Sequence, residues 1–124
     1  MPWTLEFTDE GRTVKIVYQG TFAAEELRAA THEILTAMTE HKTTRALLDC
    51  YEAHMEVPVI NVYQLPDLYE SRGITRHTRA AVVLPKDKYR LDIYEFYEDV
   101  CRNRGYNVKL FEDRAAAWAW LQEP

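Results

Sequence analysis

Hydrophobic and polar residues alternate over residues 3–8 and again over residues 14–18. A period of two is typical of half-buried β-strands. Between the two runs lies the segment Asp9-Glu10-Gly11-Arg12, whose composition favours a turn. A short turn between two alternating runs predicts an antiparallel β-hairpin.

The period changes from two to about 3.6 after Gly20. Leu27, Ile34 and Met38 recur at helical spacing and predict an amphipathic helix with one apolar stripe. Thr21 stands ahead of this stripe and is the residue that we expect to cap the helix.

Three shorter apolar runs predict the remaining strands. Residues 45–49 read as a buried strand that ends at Asp49, and residues 107–111 read as the last strand. Residues 79–84 are apolar on both faces, which suits a central strand covered by helices on both sides.

A helical segment is expected between the strands at residues 45–49 and 79–84. Residues 57–71 are predicted to be helical, with Val59, Val62 and Tyr63 facing inward. Pro66 lacks an amide hydrogen, so two short helices or one bent helix are expected there.

Two further helices have recognisable end signals. Asp92 and Glu95 resemble a capping box, with an earlier start near Asp87 as the alternative. Gly105 is suited to the left-handed position that ends a helix. Asp113 is suited to cap a final short helix. The apolar stripe of the first of these helices comprises Ile93, Phe96, Tyr97, Val100 and Cys101.

The predicted order of elements is ββαβαβαβα. After the hairpin, strands alternate with helices, which predicts an α/β fold with a mixed, mostly parallel five-stranded sheet and about four helices. The hairpin places the first strand antiparallel at one edge. The chain shows no repeat, low-complexity segment or linker, so we expect one domain over residues 1–124.

This order, with these residues, resembles the STAS domain, and in particular its SpoIIAA-like (STAS/SEC14-like) branch. The resemblance covers nearly the whole chain. It rests on Ala81-Val82-Val83, on the segment Asn-Arg-Gly-Tyr-Asn-Val-Lys-Leu-Phe at residues 103–111, and on Ala117, Trp120 and Leu121. It implies the fold of the anti-sigma-factor antagonists and a regulatory module that acts by protein–protein contact.

The resemblance does not extend to the phosphorylation switch of that family. Phospho-regulated members carry Ser or Thr in an Asp-Ser-Ser-Gly-like setting after the third strand. The corresponding residues 49–58 contain no Ser, Thr or Gly. Asp49 alone has a counterpart, and we interpret its role as structural.

Composition narrows the classes of partner. The chain has 124 residues and a net charge of −5, which argues against a nucleic-acid or anionic-membrane binder. Residues 1–6 do not resemble a signal peptide, and no run approaches the roughly 20 apolar residues of a membrane span. Cys50 and Cys101 lie in apolar patterns and are expected to be free thiols of a cytoplasmic protein.

Any site is expected at the carboxyl ends of the parallel strands, where ligands bind in open α/β sheets. Residues 19–22, 49–52 and 85–90 should meet there. The residues that we expect to bind a ligand or partner are Asp49, Tyr51, Tyr63, Lys86, Tyr89, Arg90 and Tyr94.

Three functions remain open from the sequence. The first is a non-enzymatic interaction module, with self-association as a homodimer through the Tyr-rich helices. The second is binding of a small apolar or amphipathic, lipid-like ligand. Its predicted pocket is lined by Tyr51, Tyr63, Tyr89 and Phe96, with Lys86 or Arg90 at the mouth.

The third function is a small enzyme with Cys50 as nucleophile and His54 as base. The four histidines show no metal-ligand spacing on a helix face, and the chain has no Gly-rich phosphate loop. We therefore expect no metal and no cofactor.

Overall fold

The computed structural model describes residues 2–124, with the backbone alone at Asp9. Five strands form one sheet in chain order, with β1 antiparallel to β2 and the other neighbours parallel. The predicted mixed sheet and edge hairpin are therefore confirmed. The strands are β1 (Trp3–Thr8), β2 (Thr13–Phe22), β3 (Arg45–Met55), β4 (Arg79–Val83) and β5 (Asn107–Phe111).

The helices occupy four positions along the chain, as predicted, and the second position holds two short helices. A 3-10 turn (Asp9–Gly11) joins β1 to β2. The α-helices are α1 (Ala24–His41), α2 (Val59–Tyr63), α3 (Leu65–Ser71), α4 (Leu91–Asn103) and α5 (Arg114–Leu121). None of the described helices is long and apolar enough to cross a membrane.

The sheet is covered unequally on its two faces. Helices α1 to α4 bury their apolar residues on one face, whereas α5 alone covers part of the other. Successive residues of β4 pack on opposite faces of the sheet. Val82 belongs to the larger core, whereas Ala81 and Val83 belong to the smaller core under α5. The expectation of a central strand apolar on both faces is confirmed.

Two of the predicted helix ends are confirmed and two are wrong. Asp113 accepts a hydrogen bond from the Ala115 amide at the start of α5, and Gly105, with φ +87°, follows α4. Thr21 lies within β2, and α1 is instead preceded by Ala23, whose amide donates to the Glu26 carboxylate over 2.7 Å.

The predicted capping box of α4 does not form. The helix begins at Leu91, one residue before Asp92, and Arg90 stands ahead of it with a left-handed φ of +57°. Asp92 is thus already inside the first turn, where its carboxylate pairs with Arg90.

The break at Pro66 is confirmed, but the inward-facing residues were only partly predicted. Pro66 lies in the first turn of α3, where its missing amide hydrogen costs nothing. In α2 only Val62 is buried, whereas Val59 and Tyr63 are exposed. A five-residue helix makes little more than one turn, so few of its side chains can face the core.

Strand β3 is longer than predicted. It continues six residues beyond Asp49 to Met55, paired with β2 over this extension. Val17 pairs with Asp49 and Gln19 pairs with Glu52, so the single residue Tyr18 faces two residues of β3. The strand was predicted from the apolar run at residues 45–49, and this β-bulge breaks the regular alternation of side chains just beyond that run.

Candidate functional site

The three segments expected to meet at the carboxyl edge are adjacent, although the edge is stepped. Strand β4 ends at Val83, while β2 and β3 run on together. The Lys86 amide donates to the Tyr51 carbonyl over 3.0 Å. The Lys86 ammonium lies 2.6 Å from the Glu52 carboxylate, and Glu52 pairs in register with Gln19.

The bulge in β3 decides which side each residue of this edge faces. Cys50 belongs to the larger core, and Tyr51 packs against the smaller core under α5. Ala53 and Met55 again belong to the larger core. Because strand side chains alternate, His54 points away from that core.

Asp49 is a buried carboxylate that is held by Arg114 and by a backbone amide. It is 2 % exposed and accepts hydrogen bonds from the Tyr51 amide over 3.1 Å and from Arg114 Nε over 2.7 Å. The Arg114 guanidinium also lies over the Tyr51 ring, 4.6 Å from its centroid. The contact with Asp49 raises the pKa of Arg114. This arrangement fits the structural role that we expected for Asp49.

A second group, which we call the loop cluster, comprises His54, Glu56 and Tyr89. Tyr89 Oη donates to Glu56 Oε1 over 2.5 Å, and His54 Nε2 lies 2.9 Å from the same oxygen. The His54 and Tyr89 rings stack with centroids 3.9 Å apart. The hydrogen bond from Tyr89, followed by that from His54, lowers the pKa of Glu56. Neighbouring Arg90 pairs with Asp92 instead.

Tyr63 lies in what we call the α2 patch, formed by Val59, Ile60 and Tyr63. These side chains are 46 %, 56 % and 53 % exposed, and they are the exposed large hydrophobic residues of the described chain. The Tyr63 ring stacks on Phe96 of α4 at 6.5 Å between centroids.

Tyr94 faces the interior. It is 6 % exposed and lines a cavity of about 70 Å³ between the sheet and helices α1 to α4, which we call the tyrosine cavity. The other tyrosines of its wall are Tyr18, Tyr69 and Tyr97. The structure places Tyr51, Tyr63, Tyr89 and Phe96, the four residues of the predicted pocket, outside this wall.

The pair Cys50 and His54 does not have the arrangement of a nucleophile and its base. The bulge places the two side chains on opposite sides of β3. Burial raises the pKa of the Cys50 thiol to about 12, so the reactive thiolate is scarce at neutral pH. Among residues 2–124, no group of three or more His, Cys, Asp or Glu side chains could hold a metal ion.

Sequence reasoning missed Arg114 and the wall tyrosine Tyr18. Arg114 follows the helix cap Asp113, and nothing in the local pattern of α5 connects it with Asp49, 65 residues away. Tyr18 gave a usable signal, because it continues the inward positions Val14 and Ile16 of β2.

The comparisons with known proteins identify the class to which this fold belongs. The SpoIIAA-like family model matches residues 13–122, which is most of the chain. The chain therefore belongs to the SpoIIAA-like family. No curated protein matches it in sequence.

Similar structures support the same fold. The unphosphorylated form of the anti-sigma factor antagonist SpoIIAA matches with a TM-score of 0.63 and 13 % identity, covering 98 % of this chain and 99 % of that chain. An uncharacterised protein with a SpoIIAA-like fold from Shewanella loihica matches with a TM-score of 0.60 and 18 % identity. The match covers 96 % of this chain and 91 % of that chain. A putative anti-sigma factor antagonist from Thermotoga maritima matches with a TM-score of 0.54 and 10 % identity. The match covers 98 % of this chain and 95 % of that chain.

Proposed function

We propose that this chain is a non-enzymatic regulatory module that acts by protein–protein contact and docks its partner on the α2 patch. The observation that carries the proposal is the concentration of exposed apolar area on one short helix. Scattered exposed hydrophobic residues are normal on a protein surface, whereas a contiguous patch marks an interaction site. Tyr63 supplies the kind of aromatic anchor that dominates binding energy at interfaces.

The charges beside the patch favour a particular partner chemistry. Phe96, on which Tyr63 stacks, has Asp92 four residues before it and Asp99 three residues after it, so both acids lie on the same side of α4. Both acids are exposed, as is Glu95. A partner that presents an apolar anchor flanked by Lys or Arg is complementary to this surface.

A second copy of the chain is the less favoured occupant. An isologous dimer on this patch places the same acidic residues of two copies, each of net charge −5, close together. The homodimer expected from the sequence is therefore an outcome for the experiment to decide. Tyr94, the other tyrosine of that expectation, is buried and cannot be an anchor without rearrangement of α4.

The regulatory part of the proposal is supported by fold and family. Two similar structures are described as an anti-sigma factor antagonist and as a putative one. The present chain lacks Ser and Thr from Asp49 through the end of α2 at Tyr63. We propose that its regulation does not use a phosphorylated Ser or Thr in that segment.

A photo-crosslinking amino acid at Tyr63, introduced in the source cells, tests the proposal. We expect one cross-linked protein, whose attached peptide carries an apolar residue flanked by Lys or Arg. The matched control places the same amino acid at exposed Glu123, near the end of α5, where we expect no such adduct.

Further variants and measurements sharpen this experiment. Ile60→Glu should abolish the adduct while circular dichroism stays unchanged. Light scattering of the purified chain should give a monomer. A chain-to-chain adduct at Tyr63 would replace the proposed partner by a homodimer, and the absence of any adduct would overturn docking on the α2 patch.

A further inference from the structure

The two edges of the sheet differ in whether their backbone groups are already bonded. Strands β1 and β5 are the outer strands. At β5 the Leu110 amide donates to the Glu98 carboxylate over 3.0 Å, and Arg102 Nε donates to the Val108 carbonyl over 2.9 Å. Side chains of α4 thus occupy the places where a further strand would bond. Proteins commonly block edge strands, because open backbone groups can pair with another chain.

The edge of β1 carries no such block. The Gln19 amide donates to the Pro2 carbonyl over 2.7 Å, and the antiparallel register from there makes the even-numbered residues of β1 those that bond to β2. The odd-numbered residues Trp3, Leu5 and Phe7 therefore direct their amides and carbonyls away from the sheet. Within residues 2–124 no strand or side chain covers these backbone groups. We call them the open edge.

A surface groove, which we call the β1 groove, runs between β1 and α1. Leu5 and Phe7 line it from the strand. Trp3 Nε1 donates to the Glu33 carboxylate over 2.8 Å, and farther along the strand the Phe7 ring stacks on His41 with centroids 4.1 Å apart. The helix therefore follows the strand. A further strand bonded to the open edge would direct alternate side chains into this groove.

The charges of the β1 groove favour a basic occupant. Glu33 and Glu40 are its carboxylates, and no Lys or Arg of the described chain lines it. The Arg72 guanidinium bonds to His32 and Thr36, which also line the groove, over 3.0 and 2.7 Å. Glu40 is exposed and forms no ion pair with any residue that the structure describes. A Lys or Arg on an incoming segment is complementary to it.

A second copy of the chain fits this edge less well than a different protein does. Pairing β1 with the β1 of a second copy brings two α1 helices to the same groove, each with Glu33 and Glu40. The two chains would each carry a net charge of −5. Like charges brought close together oppose that assembly.

We infer that the open edge and the β1 groove together form a docking site for an extended segment of a partner protein, which adds as an antiparallel sixth strand. The segment has apolar residues at alternate positions, which pack against Leu5 and Phe7, and Lys or Arg at its ends. Main-chain hydrogen bonds at the edge supply affinity, and the groove selects the side chains. The site shares no residue with the α2 patch, so it does not depend on docking there.

Nuclear magnetic resonance titration of the full chain with the peptide acetyl-Lys-Val-Thr-Val-Thr-Val-Lys-amide tests the inference. We expect saturable shifts at β1 and along the side of α1 that lines the groove. The Leu5 and Phe7 amides should also exchange their hydrogens more slowly. The expected factor is about tenfold when the peptide is present at ten times its dissociation constant.

Two controls separate strand addition from contact by charge alone. Methylating the backbone nitrogens of the three valines keeps every side chain of the peptide but removes the donors that face β1, so binding should be lost. Glu40→Lys should weaken binding of the unmethylated peptide by at least about threefold. The matched variant Glu95→Lys makes the same charge change at an exposed site on α4 and should leave binding unchanged.

Each remaining outcome decides against the inference. Equal binding of the methylated peptide would overturn strand addition, and shifts at the α2 patch in place of β1 would assign the peptide to that surface. Shifts of β1 that appear on concentrating the chain without peptide would make a second copy the occupant. No saturable shift would overturn docking at the open edge.

Discussion

Arg114 Nε donates to the buried carboxylate of Asp49 over 2.7 Å, which ties the first turn of α5 to the middle of β3. Asp49 is almost fully buried, whereas half of the Arg114 side chain remains in contact with solvent. On the sheet face under α5, the buried Asp49 carboxylate is therefore paired with a guanidinium, Arg114, that lies at the surface.

Replacing this arginine should destabilise the protein. Arg114→Ala leaves the Asp49 carboxylate buried with the Tyr51 amide as its one remaining hydrogen-bond donor among the described residues. We expect the free energy of unfolding to fall by about 1 to 3 kcal/mol, the usual cost of an unsatisfied buried polar group. Urea denaturation measures this change.

Two further variants control that measurement. Arg28→Ala removes an exposed arginine from α1 and should change the free energy of unfolding by no more than about 0.5 kcal/mol. In a double-mutant cycle with Asp49→Asn, the effects of the two substitutions should not add. Additive effects would show that the contact contributes nothing to stability.

The loop cluster should make stability depend on pH in the acid range. Hydrogen bonds from Tyr89 and then His54 lower the pKa of Glu56 below its ordinary value of 4.5. The unfolded chain therefore binds a proton more readily than the folded chain does. This contribution to stability is complete above about pH 4.5 and is lost as pH falls through the lowered pKa.

Glu56→Gln provides the measurement for the loop cluster. The variant should melt below the wild type at pH 7, and the difference in melting temperature should shrink as the pH is lowered from 5 to 3. Tyr89→Phe retains the carboxylate but removes the strongest cause of the shift, so it should lose most of this pH dependence. Identical pH profiles for the wild type and Glu56→Gln would contradict the prediction.

Both cysteines should resist alkylation in the folded protein. Burial raises the pKa of Cys50 and of Cys101 to about 12, and both side chains are inaccessible. Iodoacetamide at pH 8 should therefore leave the native chain unmodified by intact mass, whereas both thiols should react in guanidinium chloride. Rapid modification of native Cys50 would restore the enzymatic hypothesis.

The sheet was predictable because its signals are local. Residues 80–83 form a short apolar run that suits a strand covered on both faces. Single residues likewise predicted two helix ends. Gly105 marks the end of α4 and Asp113 marks the start of α5, because the backbone preference of each residue acts within one turn. The predicted adjacency of the three edge segments followed from the sheet alone.

The candidate site was predicted less well, because it depends on which side chains of each helix are buried by the neighbouring helices and strands. Tyr94 was assigned to an exposed surface, whereas α4 buries it together with Ile93, Tyr97 and Cys101. The buried face of α4 is wide since the helix packs against both the sheet and α2. No pattern within α4 shows that Phe96 rather than Tyr94 lies next to the surface.

The bulge in β3 is a point at which this buried strand can lose one residue. The side chains beyond it would still lie on the same sides of the sheet. Tyr51 is the extra residue: without it, Cys50, Glu52, Ala53, His54 and Met55 would alternate inward and outward as they do now. A one-residue deletion elsewhere in β3 inverts every side chain beyond it. Loss of Tyr51 removes the ring beneath Arg114 and the backbone groups that bond Asp49 and Lys86, but it leaves the facing of the other strand residues unchanged. An alignment of related chains can therefore carry a single gap here, inside a strand, and still describe one fold.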